Sequence, residues 1–246
     1  VLLIVRGESL PRGRSLFQLI GMGALGYVGP SFSYLTAIKY ASAGLVALLL
    51  YLYPAFVAIL SATFLKEKFT RLKIAALIIA TLGAALTANP QGGSWTGILL
   101  AITAAAIYSV YIIVGTTVLK RVSAIQSSTV IFAGAGVVFS TLAIINGPQL
   151  PHSSAGWTAL IAIILVATIL PVVAFLAGLK RIGPTNASLL STLEPVVTVL
   201  LAAWLFGEVL QSAALMGGGL ILIAVILLTR SELHQADRQP DQIDLT

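Results

Sequence analysis

The chain has no cysteine and only two histidines. Without cysteine there is neither a disulfide framework nor a thiolate metal site. His152 lies in a loop and His234 in the C-terminal stretch, so a multi-histidine metal centre is excluded. Charge is also scarce: 9% of the 246 residues are Asp, Glu, Lys or Arg, against about 25% in soluble domains. HExxH, GxSxG, paired acids within an apolar run and a Ser/His pair within one are all missing, and so is a Walker lysine motif. Nothing here points to chemistry on a bond or to direct drive by ATP. The expectation is a protein that is not an enzyme and carries no cofactor.

What is present is hydrocarbon. Hydrophobic residues make up 58% of the chain and the mean hydropathy is +1.03. This is the composition of an integral membrane protein. The net charge of +6 would suggest nucleic acid in a soluble protein. Here its distribution reports membrane topology instead, and no nucleic-acid partner is expected.

Apolar runs alternate with short polar breaks such as "NPQGGS", "NGPQLPHSSAG" and "RIGPT". Read as helices, they predict spans over 16–38, 41–65, 72–88, 96–119, 125–145, 157–179, 186–206 and 213–229. Each is near the ~20 residues that cross a bilayer. Helices are the only suitable form, because lipid offers backbone groups no partners. The opening "VLLIV" is too short to span and reads as the tail of a further span, which makes the chain an N-terminally truncated form. No soluble domain is evident. Residues 231–246, "SELHQADRQPDQIDLT", read as a disordered tail.

Numbering the loops alternately places 13 of the 14 basic residues on one side and Lys39 alone on the other. The positive-inside rule makes the basic side cytoplasmic and puts the C-terminus there.

The chain also repeats itself. Pro30 and Pro171 are 141 positions apart (171 − 30), and the same offset joins Lys39 to Lys180, Pro54 to Pro195 and Glu67 to Glu208. The offset lays the opening stub over the end of the span 125–145. A complete unit would then have five helices and the full protein ten. Five is odd, so the two copies should cross the membrane in opposite senses. The loops agree: "KEKFTRLK" at 66–73 holds four basic groups, and its counterpart "GEVLQSAA" at 207–214 holds none. The expected domains are a first repeat over 1–90, a second over 91–230 and the tail. Inverted repeats of this kind place substrate near the midplane between the copies.

"GLKRIGPTNASLLSTLEPVVTVLLAAWLFGE" at 178–208 and its weaker twin "AIKYASAGLVALLLYLYPAFVAILSATFLKE" at 37–67 resemble the EamA-type branch of the drug/metabolite transporter superfamily. The shared features are a small-residue-rich helix, a proline near its middle, an apolar run and a closing Glu. The resemblance covers nearly the whole chain. It implies an all-α bundle of two inverted five-helix repeats in the inner membrane. The spans 16–38, 41–65, 157–179 and 186–206 would form a central cavity, and amino acids, metabolites or xenobiotics would be the cargo. The first copy departs from the second at Tyr53, which faces Glu194 in the alignment, and at Lys66, which faces Gly207.

Of the eight acidic residues, only Glu194 falls inside a predicted span. It would lie ~12 Å along the helix from Asn186. A charge there costs at least ~2.5–3.5 kcal/mol and should face the protein interior or water. On a continuous wheel Asn186, Ser191, Glu194 and Thr198 share one face, a polar stripe suited to a cavity. Two readings stay open. Glu194 contacts substrate or carries a coupled proton, or it bonds a neighbouring helix or the backbone freed by Pro195. Pro30, Pro54, Pro171 and Pro195 are either hinges of alternating access or fixed bends. Tyr34, Tyr51, Tyr53, Tyr108 and Tyr111 are aromatic candidates, of which Tyr34 and Tyr53 look the deepest. Gly217–Gly219, Gly21, Gly23, Gly26, Gly134 and Gly136 suggest close helix packing. Lys39 reads as a snorkelling lysine or an anion-attracting group at the outer mouth, and Glu67 as a salt-bridged interfacial residue.

These residues point to a secondary transporter for a small organic solute, working by alternating access with or without a linked proton. A non-transporting membrane scaffold or regulatory subunit is the alternative. The expected partners are a small-molecule substrate and the lipid bilayer, with a coupled proton and a homodimer as further candidates.

Overall fold

The computed structural model describes residues 8–88, 92–147, 150–206 and 211–237. The opening stub, Gly207 and Glu208 lie outside the described residues. Among the described residues the chain is helical without a strand, and an isolated bridge joins Ala41 to Gly93. Helix α1 covers 14–37, α2 Ala43–Leu65, α3 Arg71–Ala88, α4 Trp95–Val118 and α5 Ala124–Asn146. Helix α6 is Ser154–Ile182, α7 runs as Pro184–Ser191 and Glu194–Phe206, and α8 is Ser212–Asp237. Six of these, α2 and α4 to α8, are long and apolar enough to cross a membrane. Helices α1 and α3 are not among the six.

Two expectations change. Helix α8 continues to Asp237, past residue 231 where the tail was expected to begin. Glu, Leu, Gln and Ala in this stretch are good helix formers, and the Ser231 hydroxyl is held 2.6 Å from that of Thr70. Helices α2 and α7 are not continuous spans bent at proline. Each is divided by a turn, at residues 51–52 and at residues 192–193. At both turns the backbone tightens to bonds three residues back, Leu52 N–H to Leu49 O and Leu193 N–H to Leu190 O. Pro54 and Pro195 then fall at the second position of a new helix. There the missing N–H costs no bond and the fixed φ suits the helix start.

The irregularities recur at the spacing of the sequence repeat. The turns at 51–52 and 192–193 are 141 positions apart. Helix α1 widens to a π-helix at Met22–Tyr27, and α6 does so at Ile163–Ile169, again starting 141 residues on. Physical necessity explains the second pair. Pro30 and Pro171 would press on the carbonyls four residues back, Gly26 and Ala167. Both carbonyls lie inside the widened turn, where backbone bonding shifts to five residues back: Val28 N–H reaches Gly23 O, and Leu170 N–H reaches Leu165 O.

Contacts group the chain into two compact units. One holds the chain up to Ser33 together with Ile107–Ala187, and the other holds Tyr34–Ala106 together with Ser188 onward. Each unit draws helices from both halves of the sequence. In the first unit α1 lies beside α5. Gly23 and Gly26 leave no room for a Cβ against Ile131 O and the Tyr111 ring, and Gly134 none against Ile20 O. Tyr27 meets Phe132 edge to face at 6.1 Å. Gly21, Gly136 and Gly219 face open space, so the expected packing role holds for only some of the glycines.

In the second unit α3 and α8 run antiparallel along their length. Thr70 meets Ser231 at one end, Ala76, Ala80, Ala224 and Leu228 share a buried cluster with Leu189, and Gly83 meets Gly217 further along. Glu67 bonds Lys73 at 2.6 Å, and the lysine side chain is buried. The expected salt bridge is therefore present, with a shielded partner. Lys66 closes α2 in the left-handed region at φ 56°, where an aligned glycine would carry no Cβ penalty.

Hydroxyls on the apolar helices bond their own backbone one turn back, as Thr81 does to Leu77 O and Thr116 to Ile112 O. Lipid offers no other partner, so this local bond removes the cost of a bare hydroxyl.

Candidate functional site

The break in α7 builds the site. Because the helix restarts there, Glu194 is the first residue of a half-helix rather than a mid-helix acid. The positive end of the helix dipole favours a carboxylate at this position. Glu194 is exposed at the protein surface. Its charge reaches the hydroxyls of Tyr34 and Tyr51, and Tyr34 lies within electrostatic reach of Tyr51. All three belong to the second unit. Tyr34 also packs against the buried Ala37, Val46 and Ala101.

The break also decides which tyrosine faces which way. Tyr53 is 3% exposed, and its hydroxyl donates to Ser188 O at 3.2 Å. It ties α2 to α7 inside the unit. Tyr51, at the turn itself, is within electrostatic reach of Glu194, as Tyr34 is. Sequence reasoning ranked Tyr53 above Tyr51.

The expected polar stripe is not one face. Asn186 is buried, with its amide nitrogen donating to Ile182 O at 2.9 Å and its amide oxygen without a hydrogen-bond partner. Ser191 is half-buried, while Glu194 and Thr198 are exposed. The Thr198 hydroxyl donates to Glu194 O at 2.9 Å, which pins the first turn of the half-helix. Thr192, between the halves, is buried and donates to Leu189 O at 2.6 Å. The wheel assumed an unbroken helix, and the turn at 192–193 invalidates it.

Tyr108 and Tyr111 stack at 5.9 Å in the first unit, and Tyr108 also stacks on Phe175 at 6.3 Å. With Tyr111 4% exposed and pressed on Gly26, this group is helix packing. Lys39 is exposed in the turn after α1. Its repeat counterpart Lys180 donates to Val122 O at 3.1 Å. Among the described residues no group of three or more His, Cys, Asp or Glu is placed to hold a metal.

Comparison with known proteins agrees with this architecture. The family model of EamA-like transporters matches residues 1–89 and 95–230. An uncharacterized transporter of Archaeoglobus fulgidus is 26% identical over 223 residues, spanning 89% of this chain and 78% of that protein. The uncharacterized inner membrane transporter YedA of Escherichia coli K12 is 28% identical over 237 residues, 92% of this chain and 75% of that protein. A probable terminal-alkyne amino-acid exporter of Streptantibioticus cattleyicolor is 27% identical, covering 92% and 77% of the two chains. A crystal structure superimposes with a TM-score of 0.82 over 93% of this chain and 82% of its own, at 22% identity, which speaks for the fold alone. With the family model matching nearly from end to end, this membrane-embedded helical chain belongs to the EamA-like transporter family.

Proposed function

We propose that the chain is a secondary transporter moving a small organic solute by alternating access, with the solute engaged at Glu194, Tyr34 and Tyr51. The observation that carries this reading is the pair of divided helices. Two helices 141 positions apart break at matching points, each restarts with a proline at its second position, and one restart begins on the acid. Discontinuous helices are how transporters expose backbone and charge near the bilayer midplane without leaving them in lipid.

Glu194, with the hydroxyls of Tyr34 and Tyr51 within reach of its charge, is suited to a cation. A carboxylate pairs with an ammonium group, and aromatic faces attract the same charge. The preferred cargo is therefore a solute with an amine, such as an amino acid. The name of the Streptantibioticus relative is in keeping with that class. Proton linkage would follow if Glu194 exchanges a proton for the solute. Thr198 then supports the half-helix on which Glu194 stands, and Asn186 and Ser191 belong to the half before the turn.

In this reading all eight helices span the membrane. Helix α3 lies along α8 from Thr70 to Gly83, and α1 lies along α5, so each follows a helix long and apolar enough to cross. Helices α3 and α8 occupy equivalent places in the two repeats and run antiparallel, which favours an inverted repeat. The basic loops then face the cytoplasm with the C-terminus. The turns at 51–52 and 192–193 and the π-turns before Pro30 and Pro171 serve as hinges.

The test is flux. Full-length protein in proteoliposomes should exchange labelled amino acids and related amines faster than empty vesicles. Absence of flux with broad solute mixtures, from folded protein, would overturn the reading.

A further inference from the structure

In the first unit a cleft of about 410 Å³ opens where the chain enters α1 and α5. Ser9, Leu10, Pro11, Arg12 and Ser15 form one wall, and Arg121, Val122 and Gln126 form the other. We propose that this cleft binds a phosphate group, carried by an anionic phospholipid whose headgroup seats between Arg12 and Arg121.

The walls are fixed to each other. The Gln126 side-chain amide donates to Ser9 O at 2.7 Å. The Ser123 hydroxyl bonds the Glu8 carboxylate. Ser123 and Gln126 also form a capping box that sets the first turn of α5. The segment before α1 is thus clamped on the start of α5, and one arginine is presented from each side. Two guanidinium forks offer paired donors matched to phosphate oxygens, and the Ser9 and Ser15 side chains add hydroxyls. Lys180 brings a third cation to the same wall through its bond to Val122 O. Glu8 is the acid beside the cleft, and its carboxylate already accepts from Ser123.

Depth and lining favour a lipid as the source of the phosphate. Arg12 and Arg121 sit just before the first residues of α1 and α5, at the level where apolar helices meet headgroups. Leu10, at 55% exposed, lines the cleft beside the arginines, and Phe17, at 75%, stands in the first turn of α1; both offer apolar surface to the lipid's acyl part. A free phosphate would use the arginines and serines but gain nothing from these two.

The test uses full-length protein in zwitterionic nanodiscs, with phosphatidylglycerol or inorganic phosphate added. Melting temperature and lipid retained in native mass spectra are read. Phosphatidylglycerol should raise the melting temperature and stay bound. The double variant R12Q/R121Q should weaken this by roughly tenfold or more, the scale of one lost charge-assisted bond. R12K/R121K keeps the charge but loses the forks and should fall between. K68Q/R71Q removes equal charge outside the cleft and should match wild type. Stabilisation by inorganic phosphate alone, lost in R12Q/R121Q, would keep the phosphate site but overturn the lipid as its source. No response to either probe, or equal loss in K68Q/R71Q, would overturn the site itself.

Discussion

Gly83 of α3 and Gly217 of α8 oppose each other so closely that a Cβ on either would stand 2.7 or 2.5 Å from the other's carbonyl oxygen. The contact joins two glycines 134 positions apart in the chain (217 − 83) and lies within the second unit. Gly217→Ala should therefore destabilise the protein by about 1–3 kcal/mol, the usual cost of overpacking. Gly219→Ala has open space and should be neutral or slightly stabilising. Thermal melts of the two variants in one detergent make the comparison.

Tyr53 and Tyr51 should separate by phenotype. Tyr53→Phe removes the bond to Ser188 O and should cost about 0.5–1.5 kcal/mol, with KM unchanged. Tyr51→Phe should leave the melting temperature near wild type and raise KM. A Tyr53 variant with normal stability and a raised KM would reverse the two roles.

The prolines at the restarts are open to a kinetic test. Pro54→Ala and Pro195→Ala restore an N–H and remove the penalty for continuing the helix, about 3 kcal/mol in a helix interior. If the turns are hinges, turnover should fall in both variants while solute affinity is kept. Unchanged turnover would make them fixed bends.

Topology can be mapped directly because the chain has no native cysteine. Lys39→Cys should react with an impermeant thiol reagent from outside intact cells. Lys120→Cys should react only after the membrane is opened. The reverse pattern would invert the orientation assigned from the basic loops.

The helices, their order and the 141-residue echo were legible because hydropathy and proline are local signals. Pro54 and Pro195 marked where α2 and α7 change, and Pro30 and Pro171 marked the π-turns. The turns themselves were not legible. A wheel drawn through residues 186–198 assumes one helix, so it joins the buried Asn186 to the exposed Glu194, and depth along an unbroken span favours Tyr53 over Tyr51. Nor could the sequence say which glycine of 217–219 meets a neighbour, since that depends on α3 arriving from the other half of the chain. The clamp of Glu8 and Ser9 on Ser123 and Gln126 is equally non-local.

The central claim is that Glu194 handles the solute. It is tested most directly by Glu194→Gln in proteoliposomes, with amine-solute binding and flux measured across pH. Loss of solute affinity, together with flux that no longer varies with pH, is the predicted result. A folded Glu194→Gln protein that keeps both wild-type affinity and wild-type pH dependence would contradict it.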